Sequence, residues 1–401
     1  MEHIKIYIKK REVIMEEIYL IGAQRTPFGR YRGFFKDKNA IDLGVMALEG
    51  LIKKTGIARD KIGSVLVGNV LSAGLGQNVA RQIALGAGLP ESVVASVVDD
   101  VCGSSLKALR FAQGQMALND FGVAVVGGAE SMTNAPLVLP KAEKKSETPN
   151  FKDTLQVDGI GDAYSQKPMG LTAENVADRY HVTRKQMDEF SLNSHQKANK
   201  AVKNNWFKDE IIPITLDGRT LANDETIRPD TTIEALGNLK PVFKEDGRAT
   251  AGNSSPLSDG ASMLLVATKA KVEELKLKPI AVISNFAEIG CDPAYMGYAP
   301  YFAINKLLKK TGTTIDDFDL FEINEAFAAQ AVPVARDLNI PESKLNIAGG
   351  AISLGHPLGA TGARLIGGIV NSLKRINAER GIVSLCIGGG QGIAYEIRRV
   401  D

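Results

Sequence analysis

The sequence predicts an α/β protein made of two similar halves with a segment inserted in the first. Three observations predict it. Strands alternate with helices over most of the chain, one arrangement of strand, reactive residue and helix occurs twice, and the alternation breaks between Ser131 and Ser258. Alternating strands and helices imply a parallel or mixed sheet covered by helices. At 401 residues the chain exceeds one ordinary core, so two or three domains, or two fused copies of one, are expected.

The first strand is predicted at Ile18 to Ala23, with the loop QRTPFGRYRGFFKDKNA after it. Apolar residues at helical spacing predict a helix from Ala40 to Thr55. Strand Ser64 to Asn69, a Gly-rich turn, a helix near Gln77 to Ala87 and strand Ser92 to Val98 complete the opening run. From 131 to 258 Lys, Pro, Asn and Asp are frequent and periodic patterns are short, which reads as an inserted, loop-rich domain. Two helices are predicted within it, Leu171 to Tyr180 and Thr183 to Val202. The second opens on Thr183 with Gln186 three residues on, a capping-box pattern. The first half is expected to comprise 15–130 and 259–278, and the second 279–401. Residues 1–14, MEHIKIYIKKREVI, mix charges with isolated isoleucines and lack a secretory signal's apolar core, so they read as a disordered extension or a misread start.

The internal echo is the most informative feature. Strand VASVVDDV delivers Cys102 into the helix CGSSLKALRFAQGQMAL, and strand GVAVVGGAES follows. Near the end, LNIAGGAISLG delivers His356 into the helix HPLGATGARLIGGIVNSL, and strand GIVSLCIGGGQG follows. A duplication with pseudo-twofold symmetry would bring the two reactive turns to one face.

Composition excludes several classes. With 48 Lys plus Arg against 46 acidic residues, the chain has no basic excess of the kind a nucleic-acid binder needs. No apolar run reaches the roughly 18 residues of a membrane-spanning helix. The three cysteines, Cys102, Cys291 and Cys386, form no disulfide framework, which points to a reducing cytoplasm. No Cys or His pair has zinc-site spacing, and no metal is expected.

Cys102 falls at a strand-to-helix turn, where unpaired N–H groups and the helix dipole would lower its pKa and favour thiolate. By itself it reads equally as a buried cysteine filling a strand end. His356, before Pro357 in a Gly-rich run, reads as an acid/base partner, an oxyanion donor or a structural cap. Cys386 ends an apolar strand before glycines that let backbone N–H groups approach a ligand, or it is an inert core thiol. Asn324, in FEINEAFAAQ, is a helix cap or the holder of a catalytic water, and Glu325 has the same ambiguity.

Taken together, the strings GAQRTPFG, DVCGSSLKA, GGAESM, GLTAEN, TAGNSSPLSDGA, NEAFAAQ, GGAISLGHPLGATGAR and CIGGGQG resemble the thiolase family, in its order and spacing, from about Glu17 onward. The resemblance implies two α/β halves in five layers with an inserted loop domain. It implies Cys102 as the acylated nucleophile, His356 as the group that activates it and helps bind a thioester oxygen, and Cys386 as acid/base. It implies Asn324 as the holder of a water in one oxyanion hole, and the backbone N–H groups of Cys102 and Gly388 as the second hole. It places Arg228 at the adenine end of coenzyme A, and Phe243, Ala251, Ser255 and Leu257 along the pantetheine path. Ala326 and Phe327 would close the other side, with Met169 and Met296 at the acyl pocket.

The implied reaction joins two acetyl-CoA into acetoacetyl-CoA and CoA with no cofactor, in a homodimer or homotetramer. The basic run Lys141 to Lys145 reads as a tetramerisation loop or a solvated charged loop. The family pattern is broken at Pro168, where short-chain members carry a histidine, and at Ala235, where a CoA-contacting serine is common. The nucleophile motif reads CGSS after Asp99 and Asp100, and GYAPYF stands where the family has Gly-Thr-Gly-Pro. Pro168 leans toward the degradative 3-ketoacyl-CoA branch, which remains the alternative expectation. A thiolase-like protein that binds acyl-CoA or lipid without catalysis is the remote one.

Overall fold

The computed structural model describes residues 17–146 and 148–400, so the extension read at 1–14 lies outside the described residues. The first half contributes β1 (Ile18–Arg25), α1 (Ala40–Thr55), β2 (Ser64–Gly68), α2 (Val79–Gly86), β3 (Val94–Val98), α3 (Ser104–Ala117) and β4 (Val123–Ser131). The inserted segment carries α4 (Gly170–Arg179) and α5 (Arg184–Lys203), and β5 (Ser258–Thr268) returns to the first half. The second half contains β6 (Ala281–Gly290), α6 (Ala299–Thr311), β7 (Leu320–Ile323), α7 (Ala328–Asp337), α8 (Thr361–Arg375), β8 (Arg380–Ile387) and β9 (Gln391–Arg399).

Helix limits follow local chemistry. Asn39 caps α1 by accepting from the N–H groups of Ile41 and Asp42, at 2.8 and 3.0 Å, while Asp42 accepts from Asn39 N–H at 3.1 Å. Gly56, at φ 68°, ends that helix in the left-handed region that an L side chain resists. Thr183 and Gln186 form the expected capping box ahead of α5.

The strands run β3-β2-β4-β5-β1-β6-β9-β8-β7 across one hydrogen-bonded sheet, with the short strand Gly29–Arg30 added on β5. Within the first half, β3, β2 and β4 are parallel, and β5 and β1 are antiparallel additions. The second half repeats this: β7 and β8 are parallel, and β9 and β6 are antiparallel. The halves meet where β1 pairs with β6 over only three residues, Ile18 to Leu20 against Ala281 to Ile283. The counterpart of β3 is reduced to one parallel bridge, Phe321 with Leu345. The segment LNIAGGAISLG is therefore not the strand its sequence suggests. It turns at Asn346 and forms the short helix Ala351–Leu354 before His356.

Three apolar clusters define the layers. One joins α3 and α8 to the facing sides of both sheet halves, including Leu106, Leu109, Leu365, Ile369, Val126 and Val383. A second lies between α1, α2 and the outer side of the first half. A third lies between α6, α7 and the outer side of the second. Helix, sheet, helix, sheet, helix makes five layers. The middle helix α8 is buried on nearly every face, as its run of small and branched residues permits.

The insertion is fastened to the first strand by a buried guanidinium. Arg25, 1% exposed, binds Asp224 through both terminal nitrogens, at 2.6 and 2.9 Å, and Glu210 through Nε at 2.9 Å. Asp224 also accepts from Phe28 N–H at 2.7 Å. Removing the Asp224 carboxylate would leave the Arg25 charge in apolar surroundings with half its partners. Asp224→Ala is expected to lower unfolding free energy by about 3–5 kcal/mol. Urea unfolding of variant and parent measures this.

Candidate active site

Cys102 sits in the 3-10 turn Val101–Gly103, immediately before α3. Val101, just ahead of it, has φ 47°, a left-handed value that a β-branched residue adopts only where its surroundings impose it. His356 comes from the second half, between the short helix at 351–354 and the turn leading into α8. Its Nε2 lies 3.2 Å from the Cys102 sulfur, although 254 residues separate them in sequence. Its Nδ1 lies 2.6 Å from the Thr361 hydroxyl, and its backbone N–H donates to Ser258 Oγ at 3.2 Å.

Asn324 follows β7. Its backbone N–H donates to Ser384 O at 2.9 Å, and Gln330 Nε2 donates to its carbonyl at 3.1 Å. So held, Asn324 Nδ2 lies 3.4 Å from His356 Nε2, and its Oδ1 is buried with no protein partner. Glu325 points the other way. Its carboxylate accepts from Ser194 at 2.7 Å and Asn346 at 2.8 Å, so it ties the insertion to the second half.

Cys386 is buried near the end of β8, packed with Met296 and Ala326. Gly388 lies two residues on, and its N–H, with that of Cys102 itself, acts on the Cys102 sulfur to favour its charged form. A side chain at Gly388 would run into Met169.

One cavity of about 360 Å³ contains Cys102, His356 and Cys386. Phe243, Ser255, Leu257, Ala326, Phe327, Met169 and Met296 all line it. Arg228 and Ala251 do not. They line a neighbouring cavity of about 210 Å³ with Arg30, His195 and Glu225, and Pro256 borders both. There Arg228 N–H donates to His195 Nδ1 at 3.2 Å, and burial followed by the Arg228 charge pushes the His195 imidazole down to about 4.

The sequence reading did not include Met132, Gln156, Ile160, Val242 or Leu358, which also face the reactive cavity. Met132 and Leu358 lie inside the strings GGAESM and GHPLGATGAR and could have been found there. Gln156 and Ile160 come from the π-helical turn Leu155–Ile160, which has no motif.

Electrostatics corrects the expected thiolate. Burial pushes the Cys102 thiol up to about 12, against the pull of the Gly388 and Cys102 N–H groups. The turn does supply donors, but loss of water outweighs them. Burial, then the Arg364 charge, lowers His356 to about 3. Cys386 is raised by burial and then by Cys102. The site therefore holds a thiol against a neutral imidazole, and the proton has a path of 3.2 Å from sulfur to nitrogen when an electrophile arrives. Among the described residues no group of three or more His, Cys, Asp or Glu could hold a metal ion, and no helix is long and apolar enough to cross a membrane.

Two pseudo-symmetric α/β halves, with a cysteine from one and a histidine and second cysteine from the other around one cavity, define an acyl-transfer class of enzyme. The family model "Thiolase, N-terminal domain" matches residues 18–270, and "Thiolase, C-terminal domain" matches 277–399. The chain belongs to the thiolase family. It is 44% identical to an acetyl-CoA acetyltransferase of Allochromatium vinosum, over 96% of this chain and 100% of that one. It is 43% identical to a probable acetyl-CoA acyltransferase of Staphylococcus aureus, over 96% and 100%. Among solved structures, the acetyl-CoA acetyltransferase of Bacillus anthracis superposes with a TM-score of 0.93 at 37% identity, covering 96% of this chain and 99% of that one. Human mitochondrial 3-ketoacyl-CoA thiolase gives the same TM-score and identity over 96% and 100%.

The inferred protonation state has a measurable consequence. Iodoacetamide alkylation of Cys102 in ligand-free protein should rise about tenfold per pH unit through the alkaline range, since thiolate is the minor form below pH 12. No inflection is expected between pH 5 and 8, because His356 stays neutral there. A plateau already reached at pH 7 would show a preformed thiolate instead.

Proposed function

We propose that the chain is an acetyl-CoA C-acetyltransferase, joining two acetyl-CoA molecules reversibly into acetoacetyl-CoA and CoA. The observation that carries this reading is the facing of Cys102 Sγ and His356 Nε2 at 3.2 Å in a cavity that also holds Cys386. The names borne by the Allochromatium and Bacillus relatives support the short-chain substrate.

In the first half-reaction Cys102 Sγ attacks the acetyl-CoA carbonyl while His356 Nε2 takes the thiol proton. The C–S bond to CoA breaks, and Cys386 gives its thiol proton to the leaving CoA sulfur, which leaves Cys386 as a thiolate. In the second, that thiolate removes a methyl proton from a new acetyl-CoA, and the resulting carbanion attacks the acyl-cysteine. The Cys102–acyl bond breaks, and His356 returns its proton to the Cys102 sulfur.

Each step gathers negative charge on a thioester oxygen, so donors fixed in advance are worth most. The N–H groups of Cys102 and Gly388 serve the acyl carbonyl. His356 Nε2 and a water held by Asn324 serve the attacking thioester, and the unpartnered Asn324 Oδ1 supports that water. Phe243, Ser255 and Leu257 line the pantetheine path, with Ala326 and Phe327 opposite. Met169 and Met296 bound the acyl group, and Arg228 and Ala251 meet the nucleotide end in the adjoining cavity. CoA thioesters are substrates, and the chemistry needs no cofactor.

We further propose a homo-oligomer assembled through β3, which pairs on one side only among the described residues and carries the uncharged sequence VASVV with Val94 exposed. A reducing cytoplasm suits a catalyst that needs Cys102 and Cys386 as thiols.

Cys102→Ala should lower turnover on the order of 10⁶-fold and abolish the acyl-enzyme seen by mass spectrometry. Near-parental activity would remove Cys102 from its role. Cys386→Ser should slow condensation more than exchange of acetyl groups between CoA and Cys102, measured with labelled CoA. Equal losses in both would separate Cys386 from the α-carbon. Thiolysis of acetoacetyl-CoA and 3-ketooctanoyl-CoA at matched concentrations tests the substrate. Preference for the first is expected, and preference for the second would move the enzyme to fatty-acid degradation.

A further inference from the structure

The reactive pair comes from two halves of the chain, so something must fix one half's turn against the other. A buried carboxylate lies between them. Glu130, at the end of β4, is 0% exposed and bonded only to N–H donors. Its Oε1 accepts from Asn69 Nδ2 at 2.9 Å and Leu71 N–H at 3.0 Å. Its Oε2 accepts from Val70 N–H at 3.1 Å and from Gly359 N–H at 2.9 Å. Three donors belong to the first half, following β2. The fourth, Gly359, lies three residues beyond His356.

The backbone is shaped to allow this contact. A side chain on Gly128 would collide with the Gly359 carbonyl, and one on Gly359 would strike the Gly68 carbonyl and Glu130 itself. Asn69 spends its amide protons on Ala129 O and Glu130 and leaves its Oδ1 buried without a partner. The four donors to Glu130 favour the ionised carboxylate. Burial pushes the Glu130 carboxyl up to about 7 and the Leu71, Gly359 and Val70 N–H groups hold it down.

We propose that Glu130 is a positioning residue for the reaction, strapping the His356 loop of the second half to the first half so that Nε2 meets the Cys102 sulfur. It touches neither substrate nor reacting atoms and acts through His356, while its charge also raises the Cys102 thiol from a distance. The inference rests on the reading that His356 activates Cys102.

The test compares Glu130→Gln with Leu48→Ala. The amide has the same shape, but its –NH₂ must face N–H donors whichever way it turns. Leu48→Ala opens a cavity in the outer helical layer, far from the site, and serves as a stability control. In Glu130→Gln, kcat should fall by about 100-fold, the scale of an ångström-sized misplacement, while KM stays within about twofold. Leu48→Ala should lower Tm with kcat unchanged.

A folded Glu130→Gln with parental kcat, a loss confined to KM, or a loss matched by Leu48→Ala at equal Tm would overturn the proposal. If Glu130→Gln does not fold, Glu130→Asp decides. It keeps the charge but falls one methylene short of Gly359, so a large loss of kcat supports the strap and parental kcat overturns it. The His356 imidazole NMR signal needs no thioester, so it still judges Glu130 should the parent protein fail to turn over acetyl-CoA: a signal moved in Glu130→Gln but not in Leu48→Ala supports the strap, and an unmoved one overturns it.

Discussion

The contact between the Cys102 sulfur and the His356 imidazole depends on two helices buried against each other. Helices α3 and α8 form the middle layer, and each opens with the turn that presents its half's reactive residue. Their packing is a matter of apolar area removed from water, tens of square ångströms per residue at about 25 cal/mol per Å². That force is non-directional and cannot by itself set a 3.2 Å distance. Directional bonds at the turn ends supply the precision, Ser258 to the His356 backbone, Ser105 Oγ to the Ala363 N–H at 3.0 Å, and Glu130 to Gly359.

The same burial controls the chemistry. Enclosing Cys102 and His356 removes the water that would stabilise thiolate and imidazolium, so both rest neutral. A neutral pair 3.2 Å apart holds its reactivity until a carbonyl carbon accepts the sulfur and the developing charge meets fixed N–H groups. A permanently ionised thiol would be the better metal ligand and the easier target for oxidants. The layered core that makes the site possible thus also keeps it protonated between turnovers.

The insertion adds a wall that the two halves lack. It enters from β4, leaves through β5, and its buried charged fastenings include Arg25 with Asp224 and Glu210, and Glu325 with Ser194. Between these, Met169 and Phe243 reach the reactive cavity, and Arg228 reaches the adjoining one. Pro256 borders both cavities, so the two lie side by side along the insertion.

The sequence by itself determined what is local. Alternation and helical spacing marked α1 to the residue, and the capping box placed the start of α5, because those signals act over a few neighbouring positions. Repetition of strand, reactive turn and helix made the doubling legible, and the strings that resemble the thiolase family singled out Cys102, His356, Cys386 and Asn324 as candidates. Only the tertiary structure decided the rest. It reduced the strand before His356 to a single bridge, since its partner β7 is short and the chain must turn there to deliver the histidine. It separated Arg228 and Ala251 from the cavity that holds the sulfur, brought in the motif-free turn at Gln156 and Ile160, and reversed the expected ionisation of Cys102. Each of these depends on what lies across space from a residue, and the sum of desolvation and distant donors is fixed by packing rather than by neighbours in the chain.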